Sequence, residues 1–126
     1  DGSMTTLHAN STRDVVVRMS SMILLSGIEL PVRAIYEMIS SAIDVIVHIA
    51  RFSDGSRKVT GISEVAGLEK DSQLDLRDIF TFEQKGISPD GIVQGEFLPT
   101  GYVPKCYDEM KRMGIHLDES IFLRKK

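Results

Sequence analysis

An Asp-Gly pair lies between two runs of β-branched residues, and this feature constrains the fold of the chain more than any other. The run "DVIVHIARF" precedes "SDGS", and the run "RKVTGISEV" follows it. β-Branched and aromatic residues favour strands, and an Asp-Gly pair is a typical turn between antiparallel strands. The sequence therefore predicts a β-hairpin that turns around Asp54 and Gly55.

The second half of the chain predicts a further antiparallel pair and a helix. The strands are expected in "DIFTFEQ" and "GIVQGEFL", because these apolar runs flank a loop that contains "SPDG". A short helix is predicted in "PKCYDEMKRM", with Pro104 at its start and Gly114 at its end. The register of the second pair stays open.

A helix is also predicted over about residues 12–26. Ser11, followed three residues later by Asp14, resembles a capping box, and apolar residues recur at helical spacing as far as Gly27. The apolar surface extends most of the way round this helix. Such a surface indicates either deep burial or contact with another subunit.

The elements on either side of this helix complete the predicted order. A short strand is expected over residues 4–9, because "MTTLHA" contains two β-branched threonines and a turn follows it. A second helix is expected to begin at Pro31 and to end near Ile43 or Asp44. The chain thus has two helices after a first strand, then antiparallel hairpins and a C-terminal helix, so we expect a mixed α+β fold.

Composition limits the class of protein without naming a partner. The chain has 126 residues, 42% of them hydrophobic and 26% charged, and a net charge of −3, which suits one globular domain and gives no indication of nucleic-acid binding. The lone Cys106 favours a reducing compartment such as the cytoplasm. The most apolar stretch is too short to span a bilayer and contains Arg18. Because the first residue is Asp1 rather than Met, the chain either is cut from a longer protein or carries a vector remnant at its start, and we expect a piece of a longer protein.

The strongest candidate site is the predicted junction between the first strand and the first helix. His8 lies at the end of the strand, Thr6 lies beside it at strand spacing, and Asn10 and Ser11 stand at the helix entrance. Free backbone N–H groups at a helix N-terminus attract anions, so these side chains are candidates to face a phosphate. The alternative is that the polar residues only cap the helix.

The remaining candidates favour structural interpretations. His48 lies among alternating apolar residues of a predicted strand, and His116 follows Gly114 in a polar tail. The histidines lack metal-ligand spacing, so no metal site is predicted. Basic residues flank the hairpin turn and could reach a phosphate, but solvent exposure is the simpler expectation: Arg51, Arg57 and Lys58.

The ten glycines include no phosphate-binding loop. Neither GxxxxGK[ST] nor a GxGxxG that opens a helix is present. Any nucleotide chemistry would therefore need a phosphate cradle from residues before Asp1 or from another subunit.

The order of motifs resembles a known family. The stretch "DGSMTTLHANSTRD" resembles the histidine box of the type II/type IV secretion ATPases, which are hexameric P-loop motors. The stretch "LSGIELPVRAIYEMISSAIDVIVHIARFSDGSRKVTGISEV" is similar to the segment that follows the box in the CpaF-type ATPases of tight-adherence (Flp) pilus systems. "DIFTF" and "TGYVPKCYDEMKRMGIHL" are similar to the end of the same proteins. The resemblance covers nearly the whole chain.

The resemblance implies that residues 1–126 are the C-terminal part of a RecA-like α/β motor domain whose P-loop and N-terminal domain lie upstream. It implies that the parent binds ATP and Mg²⁺, that this piece alone binds neither tightly and is inactive, and that His8 senses the γ-phosphate, with Thr6, Asn10 and Ser11 as neighbours in the nucleotide site. Arg57 and Glu64 match recurrent positions, for which subunit-contact or structural roles are expected.

The implied setting is a homohexamer that acts on inner-membrane pilus or secretion platform proteins. Such a motor is cytoplasmic, is peripheral at the inner face of the cell membrane, and neither inserts into it nor binds nucleic acid. One departure is that Thr12 stands where many relatives have proline, and either residue can begin a helix. The alternative to a motor fragment is a non-catalytic oligomerisation or docking module.

Overall fold

The computed structural model describes residues 2–125 as one antiparallel sheet packed with helices on both faces. The elements, in chain order, are α1 (Thr12–Leu25), α2 (Val32–Ala42), β1 (Val45–Arg51), β2 (Arg57–Leu68), β3 (Leu74–Ile87), β4 (Val93–Pro99), α3 (Lys105–Arg112) and a short 3₁₀ helix (Glu119–Phe122). Each strand pairs with the next one in sequence, in the spatial order β1-β2-β3-β4. The mixed α+β class, both hairpins and all three predicted helices are confirmed.

The strand predicted over residues 4–9 is wrong. These residues belong to no helix or strand, and no strand within residues 2–125 pairs with them. Threonine favours an extended backbone, but a strand forms only where a neighbour supplies hydrogen bonds. All four strands pair only with their sequence neighbours, so residues 4–9 lead irregularly into α1.

The two faces of the sheet hold two separate cores. Along β2, Val65 packs against α1 and α2, whereas Glu64, on the opposite face, contacts the start of α3. The first core consists of Val16, Ile35, Ile39, Ile46 and Val65. The second core consists of Ile79, Tyr107 and Phe122. The alternation of side chains along a strand therefore assigns each helix to one face.

Helix α1 is only partly covered. Val16 is its one buried residue, whereas Val17 and Leu25 are 60% and 85% exposed. The deep burial considered for this helix is therefore wrong within residues 2–125. Contact with another subunit stays a prediction.

The three hairpin connections share one backbone geometry. In each turn, one residue with positive φ donates its N–H to the carbonyl three residues earlier. Gly55 and Gly91 occupy this position in the first and third turns, with φ of 82° and 80°, and Ser72 occupies it in the second, with φ of 66°. A left-handed backbone is strained for residues with a Cβ atom, so the second turn is the unfavourable one.

We expect Ser72→Gly to raise the free energy of unfolding by about 0.5 kcal/mol, because relief of left-handed strain exceeds the extra entropy of the unfolded chain. The measurement is the urea midpoint. Ser53→Gly is the control, since Ser53 is exposed and lies outside the positive-φ set. A lower midpoint for Ser72→Gly would contradict the strain argument.

Candidate functional site

The start of α1 is closed by hydrogen bonds within the chain. The Ser11 hydroxyl accepts the backbone N–H of Asp14 at 3.1 Å, and the Asp14 carboxylate accepts the backbone N–H of Asn10 at 2.8 Å. The pKa of Asp14 is held below its usual value, first by the hydrogen bond from Asn10 and second by Arg18, whose Nε lies 2.9 Å from the carboxylate. The predicted capping box is confirmed, with Asp14 reaching Asn10 rather than Ser11.

His8 and Thr6 lie on the irregular segment that precedes this cap. Both side chains are exposed, and neither makes a hydrogen bond within residues 2–125. The structure thus places the four predicted residues, positions 6, 8, 10 and 11, along one stretch that enters the helix. An exposed imidazole beside a helix start is free to meet a ligand, and its role in nucleotide binding stays a prediction.

His48 connects the same segment to the sheet. Its Nε2 lies 3.2 Å from the carbonyl oxygen of Ala9, and its Nδ1 lies 2.6 Å from the Thr60 hydroxyl. Because a carbonyl oxygen can only accept, Nε2 carries the hydrogen. The predicted strand position and structural character of His48 agree with these contacts. Its link to Ala9 was missed, since no local pattern joins residues 39 positions apart.

A small cleft of about 250 Å³ opens beside the cap. It is lined by Ser11, Thr12, Arg13, Leu76 and Asp78. The Asp78 carboxylate is oriented by the Ser63 hydroxyl, which is fully buried and donates to it at 2.6 Å. Arg13 favours an anion in this cleft and Asp78 opposes one, so the cleft has a mixed electrostatic character. Sequence reasoning missed Ser63 and Asp78, because strand register alone brings them together.

The basic residues of the first hairpin lie at its turn end. Arg51 and Arg57 are exposed and lie directly opposite each other in the register of β1 and β2. They form no salt bridge with any residue in the range 2–125. Over the same range, no group of three His, Cys, Asp or Glu side chains is placed to hold a metal ion.

Glu64 is buried and connects β2 to the start of α3. One carboxylate oxygen accepts the Tyr102 hydroxyl at 2.7 Å and the Lys105 N–H at 3.0 Å, and the other accepts the Cys106 N–H at 3.0 Å. Pro104 precedes α3 and gives no side-chain cap, so Glu64 supplies the cap from a strand. Of the two roles expected for Glu64, subunit contact or structural support, these contacts show structural support.

The Tyr102 contact predicts a pH dependence. Burial first, then the hydrogen bond to Glu64 and its negative charge, raise the pKa of Tyr102 to about 12. The pKa of Tyr102 is near 10 in the unfolded chain and about 12 in the folded chain. The contribution of this group to stability is therefore fully present below pH 10 and is lost as the pH rises from about 10 through 12. We expect stability to fall more steeply over this range in the wild type than in Tyr102→Phe, as measured by urea unfolding at several pH values. Equal slopes would contradict the linkage.

No family model and no curated protein matches this chain. Within residues 2–125, no helix combines the length and the apolar character needed to cross a membrane. The interpretation of the site therefore depends on the residues and contacts described above.

Proposed function

We propose that the chain is the C-terminal portion of a hexameric P-loop ATPase of the type II/type IV secretion family, CpaF-type, which powers pilus assembly or protein secretion. His8 acts as the sensor of the γ-phosphate in this proposal. The RecA-like parent supplies the phosphate cradle and binds ATP with Mg²⁺, and it works at the inner face of the cell membrane with platform proteins.

The observation that carries the proposal is the placement of His8. Its side chain is exposed and is not engaged by any hydrogen bond within the described chain, while the next three residues are held. Ala9 is bound by His48, and Asn10 and Ser11 are bound through Asp14. A fixed backbone with one free imidazole suits a group that must contact a ligand at a defined position.

The imidazole can donate an N–H to a phosphate oxygen and lose this contact when the phosphate leaves. Ser11 and the backbone N–H of Asn10 are already engaged in the cap. In this proposal, Asn10 and Ser11 therefore hold the start of the helix in place, and their side chains line the approach to the nucleotide. Thr6, exposed on the same segment, is the remaining polar neighbour.

The test is His8→Ala in the full-length parent. We expect kcat for ATP hydrolysis to fall by about 10²-fold while the Kd for ATP changes by less than about 3-fold, because the P-loop supplies most of the affinity. His116→Ala is the matched control, since His116 is also exposed and lies in the C-terminal tail. Unchanged turnover in His8→Ala would exclude His8 from the mechanism.

The exposed apolar residues of α1 favour a second candidate, a non-catalytic oligomerisation or docking module. Val17 and Leu25 are exposed on a helix of 14 residues, and such surfaces mark interaction sites. Sedimentation of the chain with and without Leu25→Glu tests self-association. A full-length parent that assembles but hydrolyses no ATP would favour this candidate over the motor.

A further inference from the structure

We propose that His48 is a positioning residue for His8, and that it links the nucleotide sensor to the β1–β2 hairpin. This inference rests on the proposed function. The Nε2 to Ala9 contact of 3.2 Å is the only hydrogen bond between residues 2–10 and the sheet within the described part of the chain. Ala9 directly follows His8, so this bond fixes the backbone from which the sensor side chain projects.

The imidazole of His48 is itself held from the neighbouring strand. Thr60 lies 2.6 Å from Nδ1 and also lies 3.3 Å from the carbonyl oxygen of His48. With Nε2 and Nδ1 both engaged, the ring has one defined orientation. The half-buried position of His48 beside the buried Ile46 limits other orientations further.

A β-bulge places Thr60 where it can make this contact. His48 pairs with Gly61 and Ile49 pairs with Val59, so Thr60 is the extra residue of β2 between two regular pairs. Bulges redirect a side chain locally, and they recur next to functional sites. The bulge thus supports the orientation of His48, and His48 in turn holds the segment that bears His8 through Ala9.

These contacts make the sensor and the hairpin one mechanical unit. A displacement of His8 would move the Ala9 carbonyl, and through His48 it would move β1 and the bulge at Thr60. Conversely, without the His48 bond, the hydrogen bonds that hold this segment within residues 2–125 are those of the α1 cap. Misplacement of a catalytic group by about 1 Å can lower a rate by about 10²-fold, so a smaller but clear loss of turnover follows.

Two substitutions separate the hydrogen bond from the volume of the ring. His48→Gln keeps an N–H donor at the position of Nε2, whereas His48→Phe replaces the imidazole by another planar aromatic ring that has no nitrogen. Thr60→Val tests the second contact without a change of size. His116→Phe is the control for replacement of an exposed histidine.

The first measurement is backbone ¹⁵N relaxation on this chain, because His48 holds a carbonyl oxygen and not an N–H group. We expect the order parameters of residues 7–9 to fall from about 0.85 in the wild type to below about 0.6 in His48→Phe, and to stay near the wild-type values in His48→Gln. Order parameters in α2 should stay unchanged in each variant. Unchanged order parameters for residues 7–9 in a folded His48→Phe would overturn the proposal.

The second measurement is turnover by the full-length parent. We expect His48→Phe to lower kcat by about 10-fold with KM unchanged, His48→Gln to restore most of it, and His48→Phe to add no loss in a His8→Ala background. A full additional loss in that background would assign His48 a general structural role and overturn the proposal.

If His8→Ala lowers kcat and His48→Phe does not, only the positioning role is wrong. If His8→Ala leaves kcat unchanged, the proposed function fails, and the positioning role fails with it.

Discussion

Gly95→Ala is expected to lower the free energy of unfolding by about 3 kcal/mol. A Cβ atom at this position would lie 2.5 Å from the Glu83 carbonyl oxygen and 2.9 Å from Cε1 of Phe82. The carbonyl belongs to the backbone of β3, which pairs with β4 at this point, so it cannot move without disturbing the ladder. The ring can rotate, but the backbone contact persists. The measurement is the shift of the urea midpoint, and an unchanged slope of the transition shows that the shift reports stability.

Gly86→Ala is the matched control. It lies on β3 next to the bulge opposite β4, has no atom within 4 Å of an added Cβ, and is absent from the positive-φ set. We expect a change within about 0.5 kcal/mol. The double variant Phe82→Leu, Gly95→Ala should recover only part of the loss, because the contact with the Glu83 carbonyl oxygen remains. Equal stability of the two single alanine variants would contradict the argument from close approach.

Glu64→Ala is expected to destabilise the chain by about 3 kcal/mol, because it leaves three partly buried donors without an acceptor and removes buried side-chain volume. Its carboxylate caps the first N–H groups of α3, which no side chain of α3 replaces. The Tyr102 hydroxyl loses the same partner. Thermal and urea unfolding give the magnitude, and hydrogen exchange in α3 should rise more than in α2.

Glu64→Gln separates charge from volume. The amide keeps one acceptor oxygen, but its NH₂ group must face a donor, so we expect a loss of about 1.5 kcal/mol. Glu109→Ala is the control on α3, since its side chain is exposed and makes no hydrogen bond to residues 2–125. A Glu64→Ala variant as stable as Glu109→Ala would show that the cap contributes little.

Local patterns in the sequence predicted most of the elements. The Asp54-Gly55 turn, the Ser11 cap of α1 and the ends of α2 are each specified by residues within a few positions of one another. Such signals act through φ preferences and short-range hydrogen bonds. The prediction of a strand over residues 4–9 was wrong, because threonine favours an extended backbone but does not supply a strand to pair with.

The candidate site was predicted only in part. The position of His8 before a capped helix follows from the sequence, because the cap is local. The contacts of His48 with Ala9 and of Ser63 with Asp78 do not, since they depend on the register of the sheet and on a bulge at Thr60. Neither a bulge nor its partner strand has a reliable local signal in this chain.

The sequence by itself determined two of the three hairpin turns and which segments form α-helices, because these properties depend on neighbouring residues. Only the tertiary structure decided that Glu64 caps α3, that His48 holds the segment after His8, and that Gly95 lies against Glu83. The physical reason is that each of these contacts joins residues brought together by strand pairing, and the energy of a non-local contact is not encoded at either position alone.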